Sequence, residues 1–199
     1  MIGVVTLVAA CGSGSKHDSA PPRSLDTQPP PGAAVVSDVR VGFALALPTS
    51  WRQLPTDSAS FKSAADQLRA ESDKVSTGLT QLESVVRGGA NVVAIDPATG
   101  ATVNLIALKA SEGSLDKAAR LSANALFASG ATDLSREATT VDGVPAIRQR
   151  FRLRFPGDHG PVDVNTTQLY VRRRGKDFVL TLSGDSPALD GIAASLKLA

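Results

Sequence analysis

Cysteine is nearly absent from this chain: Cys11 stands alone among 199 residues, so no disulfide can close within one molecule and a chain of this size needs none. Aromatic residues make up only 4%, with one Trp and one Tyr. That is too few to build a base-stacking platform, and no nucleic-acid partner is expected. Histidine occurs twice, as His17 and His159. A zinc centre takes three or four His, Cys or carboxylate ligands, usually in close-spaced pairs, so no metal and no cofactor is expected. The P-loop spacing, Gly-x-Gly-x-x-Gly and the Gly-x-Ser-x-Gly elbow are all missing, which removes the commonest phosphate-cradling and nucleophile motifs. Long apolar runs are missing too. Ile2–Ala10 falls well short of the ~20 residues that span a bilayer.

What is present divides the chain in three. With 42% hydrophobic residues and a net charge of +2, the length suits one globular domain and a tail. Residues 1–10 read as the remnant of a signal peptide. Their apolar stretch has the right length, but the basic segment that normally precedes it is missing, which points to a truncated or misassigned start. Val8-Ala9-Ala10-Cys11 resembles a bacterial lipobox, in which small residues admit the signal peptidase and the cysteine sulfur takes a diacylglycerol. Cys11 is therefore expected to be lipidated, anchoring the protein to the outer face of the cytoplasmic membrane. The competing reading, a buried free thiol, lacks apolar periodicity around it. Residues 11–38 carry Pro21, Pro22, Pro29, Pro30 and Pro31 among Ser, Gly, Asp and Lys. Such a segment cannot bury enough surface to offset the entropy of ordering it, and reads as a tether. The globular domain is expected over residues 39–199.

Within that domain, strand and helix signals follow one another in a definite order. Phe43, Leu45 and Leu47 alternate with Ala44 and Ala46, giving a strand, and Pro48-Thr49-Ser50 turns the chain into a short return strand through Trp51 and Leu54. Phe61, Ala64, Leu68, Val75, Leu79, Leu82 and Val86 recur at helical spacing, with an interruption at Ser72 and a stop at Gly88-Gly89. Residues 91–96 and 101–109 form a hairpin apolar on both faces, as in strands covered on both sides. Ser114 caps a helix that ends at Gly130. Asp142-Gly143 marks a tight turn between two strands, the second running to Phe155. Strands at about 162–173 and 177–183 meet at Arg174-Gly175-Lys176, and Ser186-Pro187 opens a last helix through Ile192 and Leu196.

Mostly antiparallel strands with helices before, between and after them predict an α+β fold, an antiparallel sheet sandwiched by helices. The stretches "GFALALPTSWRQL", "DPATG", "SLDKAARLSANALFASG", "VDGVPAIRQRF" and "SPALDGIAASLKL" together resemble the Mog1/PsbP-type fold, an α/β/α arrangement used by actinobacterial cell-envelope lipoproteins of the LpqN/LpqT kind. That resemblance implies a domain that docks on other proteins or works in assemblies at a membrane. It supplies no set of catalytic residues, so a non-enzymatic binding or scaffold module is expected, with an envelope protein, lipid or glycan as partner.

One constellation of charge stands out. In "IRQRFRLRF", Arg148, Arg150, Arg152 and Arg154 alternate with apolar and amide residues, and a period of two places all four guanidinium groups on one sheet face. Arg172 and Arg174 follow in the next hairpin. Residues 148–176 hold eight basic against two acidic residues, whereas the rest of the chain holds 13 against 17. A face of this kind concentrates anions such as lipid headgroups or acidic envelope polymers. It is equally what a half-exposed strand shows when acids such as Asp163, or those of the long helical segment, pair with it. A reading of a different class, a secreted hydrolase or transferase, would place an unrecognised active site around His159 in "FPGDHGPVD".

Overall fold

Alternating apolar residues draw ten segments of the described chain into antiparallel strands. The computed structural model describes Leu25, residues 28–156 and residues 160–199. The elements run β1 (Ala33–Asp38), β2 (Phe43–Pro48), β3 (Arg52–Leu54), α1 (Ser58–Glu71), α2 (Ser76–Arg87), β4 (Val92–Ile95), β5 (Thr102–Lys109), α3 (Leu115–Ala128), β6 (Thr132–Val141), β7 (Val144–Phe155), β8 (Val162–Arg173), β9 (Lys176–Ser183), α4 (Leu189–Ala194) and β10 (Lys197–Leu198). A seven-stranded sheet has the order β3-β4-β5-β9-β8-β7-β6, and a three-stranded sheet has the order β1-β2-β10. Every pairing is antiparallel. The fold is α+β, as the sequence predicts.

Period two gives the large sheet two unlike faces. Val92 and Ala94 of β4, Val103 and Leu105 of β5, and Phe178 and Leu180 of β9 point to one side. There they pack against Phe43, Leu45 and Leu47 of the small sheet and against Ile192 of α4. On the other side Val93 and Ile95 meet Phe61, Leu68, Leu79 and Leu82 of α1 and α2. Farther along that same face α3 lies over β7 and β8. It packs through the small residues Ala119 and Ala123, and Ser122 Oγ lies 2.6 Å from the Tyr170 hydroxyl.

The helical segment breaks where the sequence breaks. Ser72 is extended and its Oγ accepts from Lys74 N–H, so α1 and α2 fold back as a hairpin joined by a short turn. Asp57 caps α1 and Ser114 caps α3 through side-chain oxygens. At Asp142-Gly143 both residues have positive φ, 51° and 71°, the backbone twist that a two-residue hairpin requires.

Four details differ from the sequence reading. Residues 33–38 form β1 and pair with β2, although the composition of 11–38 reads as tether: one face of β1 is apolar enough to fold once β2 offers a template. Residues 52–54 pair with β4 in the large sheet and do not return along β2. The last helix starts at Leu189, because Ser186 Oγ receives Ala188 N–H one turn before regular helix begins. Finally, Lys197 and Leu198 form β10 beside β2.

Candidate functional site: an arginine ladder on the large sheet

Strand β7 carries Arg148, Arg150, Arg152 and Arg154 along the face that, nearer β5, packs against the small sheet. At ~3.4 Å per residue the file is about 20 Å long. The four side chains are 35%, 51%, 46% and 68% exposed, so the file lies open beyond the small sheet. The register supplies acids opposite them. Glu137 of β6 sits across from Arg148 and takes Arg148 Nη1 at 3.3 Å and Arg150 Nη1 at 2.9 Å. Asp133 lies 3.3 Å from Arg152 Nη1. Asp163 of β8, across from Arg154, accepts from its Nε at 2.9 Å and its Nη2 at 3.4 Å. That hydrogen bond holds the Asp163 carboxyl below its ordinary range and raises the Arg154 guanidinium.

Asp163 is thus a partner of the arginines, as the alternation allows. The other acids come from β6, and none of these four ladder pairs involves α1 or α2. Four cations face three carboxylates, so the file carries about one excess positive charge. It is an ordered row of half-satisfied donors, not a field of four free charges.

Arg172 and Arg174 do not join it. Arg148 pairs with Leu169 and Arg152 with Asn165, so odd-numbered residues of β8 share the ladder's face. Arg172, being even, projects to the face that carries α3. There it donates to Asp177 from Nε at 2.6 Å and Nη2 at 2.8 Å, to Ser111 Oγ at 3.0 Å, and to the Gly113 carbonyl. Asp177 also accepts from Ser111 N–H at 3.0 Å. Burial pushes the Asp177 carboxyl up, but the Arg172 and Ser111 hydrogen bonds outweigh it and leave the pKa below the ordinary value. Arg172 is therefore a latch on the loop that leads into α3. Arg174 stands in the β8–β9 turn with φ +47°. It borders a shallow depression of about 290 Å³ shared with Lys109 and Lys176.

The helix-bearing face holds a polar lane that sequence reasoning passed over. Asn104, Thr181, Gln168 and Gln149 lie side by side across β5, β9, β8 and β7. Gln168 donates to Thr181 and accepts from the Tyr170 hydroxyl. Gln149 is fully buried, and among the described residues neither of its amide atoms has a partner. The available signal was amides and hydroxyls at inward-facing positions of strands otherwise rich in Val and Leu.

Cys11, the residues before Leu25 and His159 lie outside the described residues. Among the described residues no group of three or more His, Cys, Asp or Glu is placed to hold a metal ion. No described helix is long and apolar enough to cross a membrane.

No protein-family model matches this chain, and no curated protein sequence matches it. Its fold does match solved structures. The solution structure of cyanobacterial PsbP (CyanoP) from Synechocystis sp. PCC 6803 superposes with a TM-score of 0.53 at 18% identity, covering 90% of this chain and 100% of that one. A crystal structure of LpqN, described as involved in cell envelope biogenesis of Mycobacterium tuberculosis, superposes at 0.46 with 15% identity, over 83% of this chain and 90% of that one. The first of these makes the fold PsbP-like.

Proposed function

We propose that the chain is a lipid-anchored, extracytoplasmic, non-enzymatic binding module of a bacterial cell envelope, of the LpqN/LpqT kind, and that its arginine ladder contacts an anionic lipid surface. The observation that carries this reading is the ladder: guanidinium groups held at two-residue intervals, open to solvent and one charge in excess of their acids. The lipobox-like Val8-Ala9-Ala10-Cys11 and the proline-rich segment after it support the anchor. A PsbP-like fold without a recognised catalytic motif supports binding over chemistry.

The charge balance sets the size of the effect. A Lys or Arg near an acidic lipid surface is worth about 1 kcal/mol at modest salt, so the paired ladder attracts with roughly one such unit instead of four. Neutralising Glu137, which holds two of the arginines, adds a second. Co-sedimentation of the full-length Cys11→Ser chain with anionic vesicles at low salt is expected to be weak. Glu137→Gln should strengthen it by about fivefold, and Arg150→Glu plus Arg152→Glu should remove it. Binding that the double reversal leaves unchanged, or absence of binding even in Glu137→Gln, overturns the lipid assignment. The anchor has its own assay: a fatty-acid analogue should label the wild type and not Cys11→Ser, and an unlabelled wild type sinks it.

A further inference from the structure

The small sheet ends in a strand with one open side. Sheet order β1-β2-β10 leaves β1 unpaired along its outer edge among the described residues. In antiparallel pairing, alternate residues turn both backbone groups toward the neighbour. Thr49 N–H donates to the Gly32 carbonyl at 2.9 Å, and Ala33 lies opposite Pro48. Residues 32, 34, 36 and 38 therefore bond to β2, while Val35 and Ser37 aim N–H and C=O outward. The far side of β2 agrees with this alternation, since Ala46 N–H turns away from β1 to Ser195 Oγ.

The other edges are short or protected. β3 has three residues and β10 two. β6 has ten, but it carries a register shift between Thr132 and Ser135, a positive φ of 54° at Asp133, and the charges of Asp133, Arg136 and Glu137. Bulges and edge charges of this kind discourage a further strand. β1 has no register shift and a single charge, Asp38, at its very end: Ala33, Ala34, Val35, Val36 and Ser37 before it offer a flat run of small and apolar side chains.

We propose that β1 is a self-association edge, and that its occupant is β1 of a second copy, paired antiparallel about a two-fold axis midway between the two Val35 residues. In that register Val35 meets Val35 of the second copy, Ala34 meets Val36 and Ala33 meets Ser37. The two Val35 residues exchange both outward backbone bonds, and Ser37 N–H of each copy meets the Ala33 carbonyl of the other, the Ala33 N–H being held by the Pro30 carbonyl at 3.1 Å. No charged side chain falls opposite another, because Asp38 lies across from Gly32. Pro29, Pro30 and Pro31 end the pairing on each side, since proline has no N–H to give a ladder. Because the same edge serves both copies, the contact closes at two instead of growing into a fibre. The joined sheet would run β10-β2-β1 and then β1-β2-β10 of the second copy, and it would cover Ala34, which is exposed in one copy.

The alternation of backbone groups gives a selective test. Proline at 35 removes an outward N–H and leaves the β1–β2 bonds intact, whereas proline at 36 removes an inward one. Sedimentation velocity on the full-length Cys11→Ser chain, which has no thiol to cross-link, should show mass rising from 20.5 kDa toward twice that value as concentration approaches about 100 μM. Val35→Pro should stay monomeric over the same range with its thermal midpoint nearly unchanged, and Val36→Pro should lower the midpoint. Dimers that persist undiminished in Val35→Pro place the contact elsewhere and overturn the proposal. So does a parent chain that stays monomeric throughout, which would leave the edge to a strand from a different protein. The lipid assays above are read separately and do not depend on this result.

Discussion

Gly100→Ala is expected to destabilise the fold by ~3–5 kcal/mol, the range in which overpacking and backbone strain combine. Gly100 closes the β4–β5 turn with φ +77°, and a methyl group there would stand 2.1 Å from the carbonyl oxygen of Lys74 and 3.1 Å from its carbon. Those atoms are backbone, so nothing can rotate away. The same turn is the seat of the α1–α2 joint: Ser72 Oγ donates to the Pro97 carbonyl, and a Cβ on Gly78 would lie 2.5 Å from the Gly100 carbonyl oxygen. Alanine at 100 thus pushes the helical hairpin off the large sheet. Gly130→Ala is the control, because Gly130 has φ +90° with no atom within 4 Å of its added Cβ. It isolates the conformational cost, about 1–2 kcal/mol. Thermal melting of both variants decides the matter: a similar loss in the two would mean that the close approach to Lys74 contributes nothing.

Asp177→Ala should cost ~2–3 kcal/mol and loosen α3 selectively. The carboxylate is 9% exposed and its partner Arg172 26% exposed, so removing it strands a part-buried guanidinium and an N–H group of Ser111. Hydrogen exchange should rise through the loop at 110–114 and the first turn of α3 before it rises in β4 or β5. The pair also predicts a pH dependence. The folded pKa of Asp177 lies below the ordinary 3.8, so the carboxylate's contribution is complete above about pH 4 and is lost as pH falls through the folded value. Urea midpoints followed downward from neutral pH should therefore fall less steeply in Asp177→Ala than in the wild type. Parallel acid limbs would show that Asp177 does not carry the effect.

Local chemistry made much of this architecture readable in advance. Asp142-Gly143, the break at Ser72, the Ser114 cap and the helical spacing from Phe61 to Val86 each act within a few residues, and the structure keeps all of them. What stayed hidden depends on partners far along the chain. Ala-Ala-Val-Val-Ser-Asp at 33–38 has no alternation strong enough to declare a strand, and its pairing is decided by β2. Residues 52–54 look like a return strand because they follow a turn, but Ile95 and Val93 give them a better neighbour. The arginines of β7 were legible as one file from their spacing alone. Their neutralisation was only half legible, since Glu137 and Asp133 become neighbours through the register of the β6–β7 hairpin. The place of Arg172 on the opposite face is a matter of parity across β7 and β8, fixed once Arg148 is known to face Leu169.

The small sheet also sets a constraint on timing. Its middle strand β2 lies between β1, only a short turn away, and residues about 150 positions later, as the Ala46–Ser195 hydrogen bond shows with a separation of 149. Closing a loop of that span must precede the contacts that reward it, and a high proportion of such distant pairings slows folding. During synthesis the β1–β2 hairpin can form early, but the apolar side of Phe43, Leu45 and Leu47 must wait for the rest of the core. Until then those residues are exposed to whatever else is sticky nearby. In that interval a holding chaperone would have Phe43–Pro48 as a natural handle.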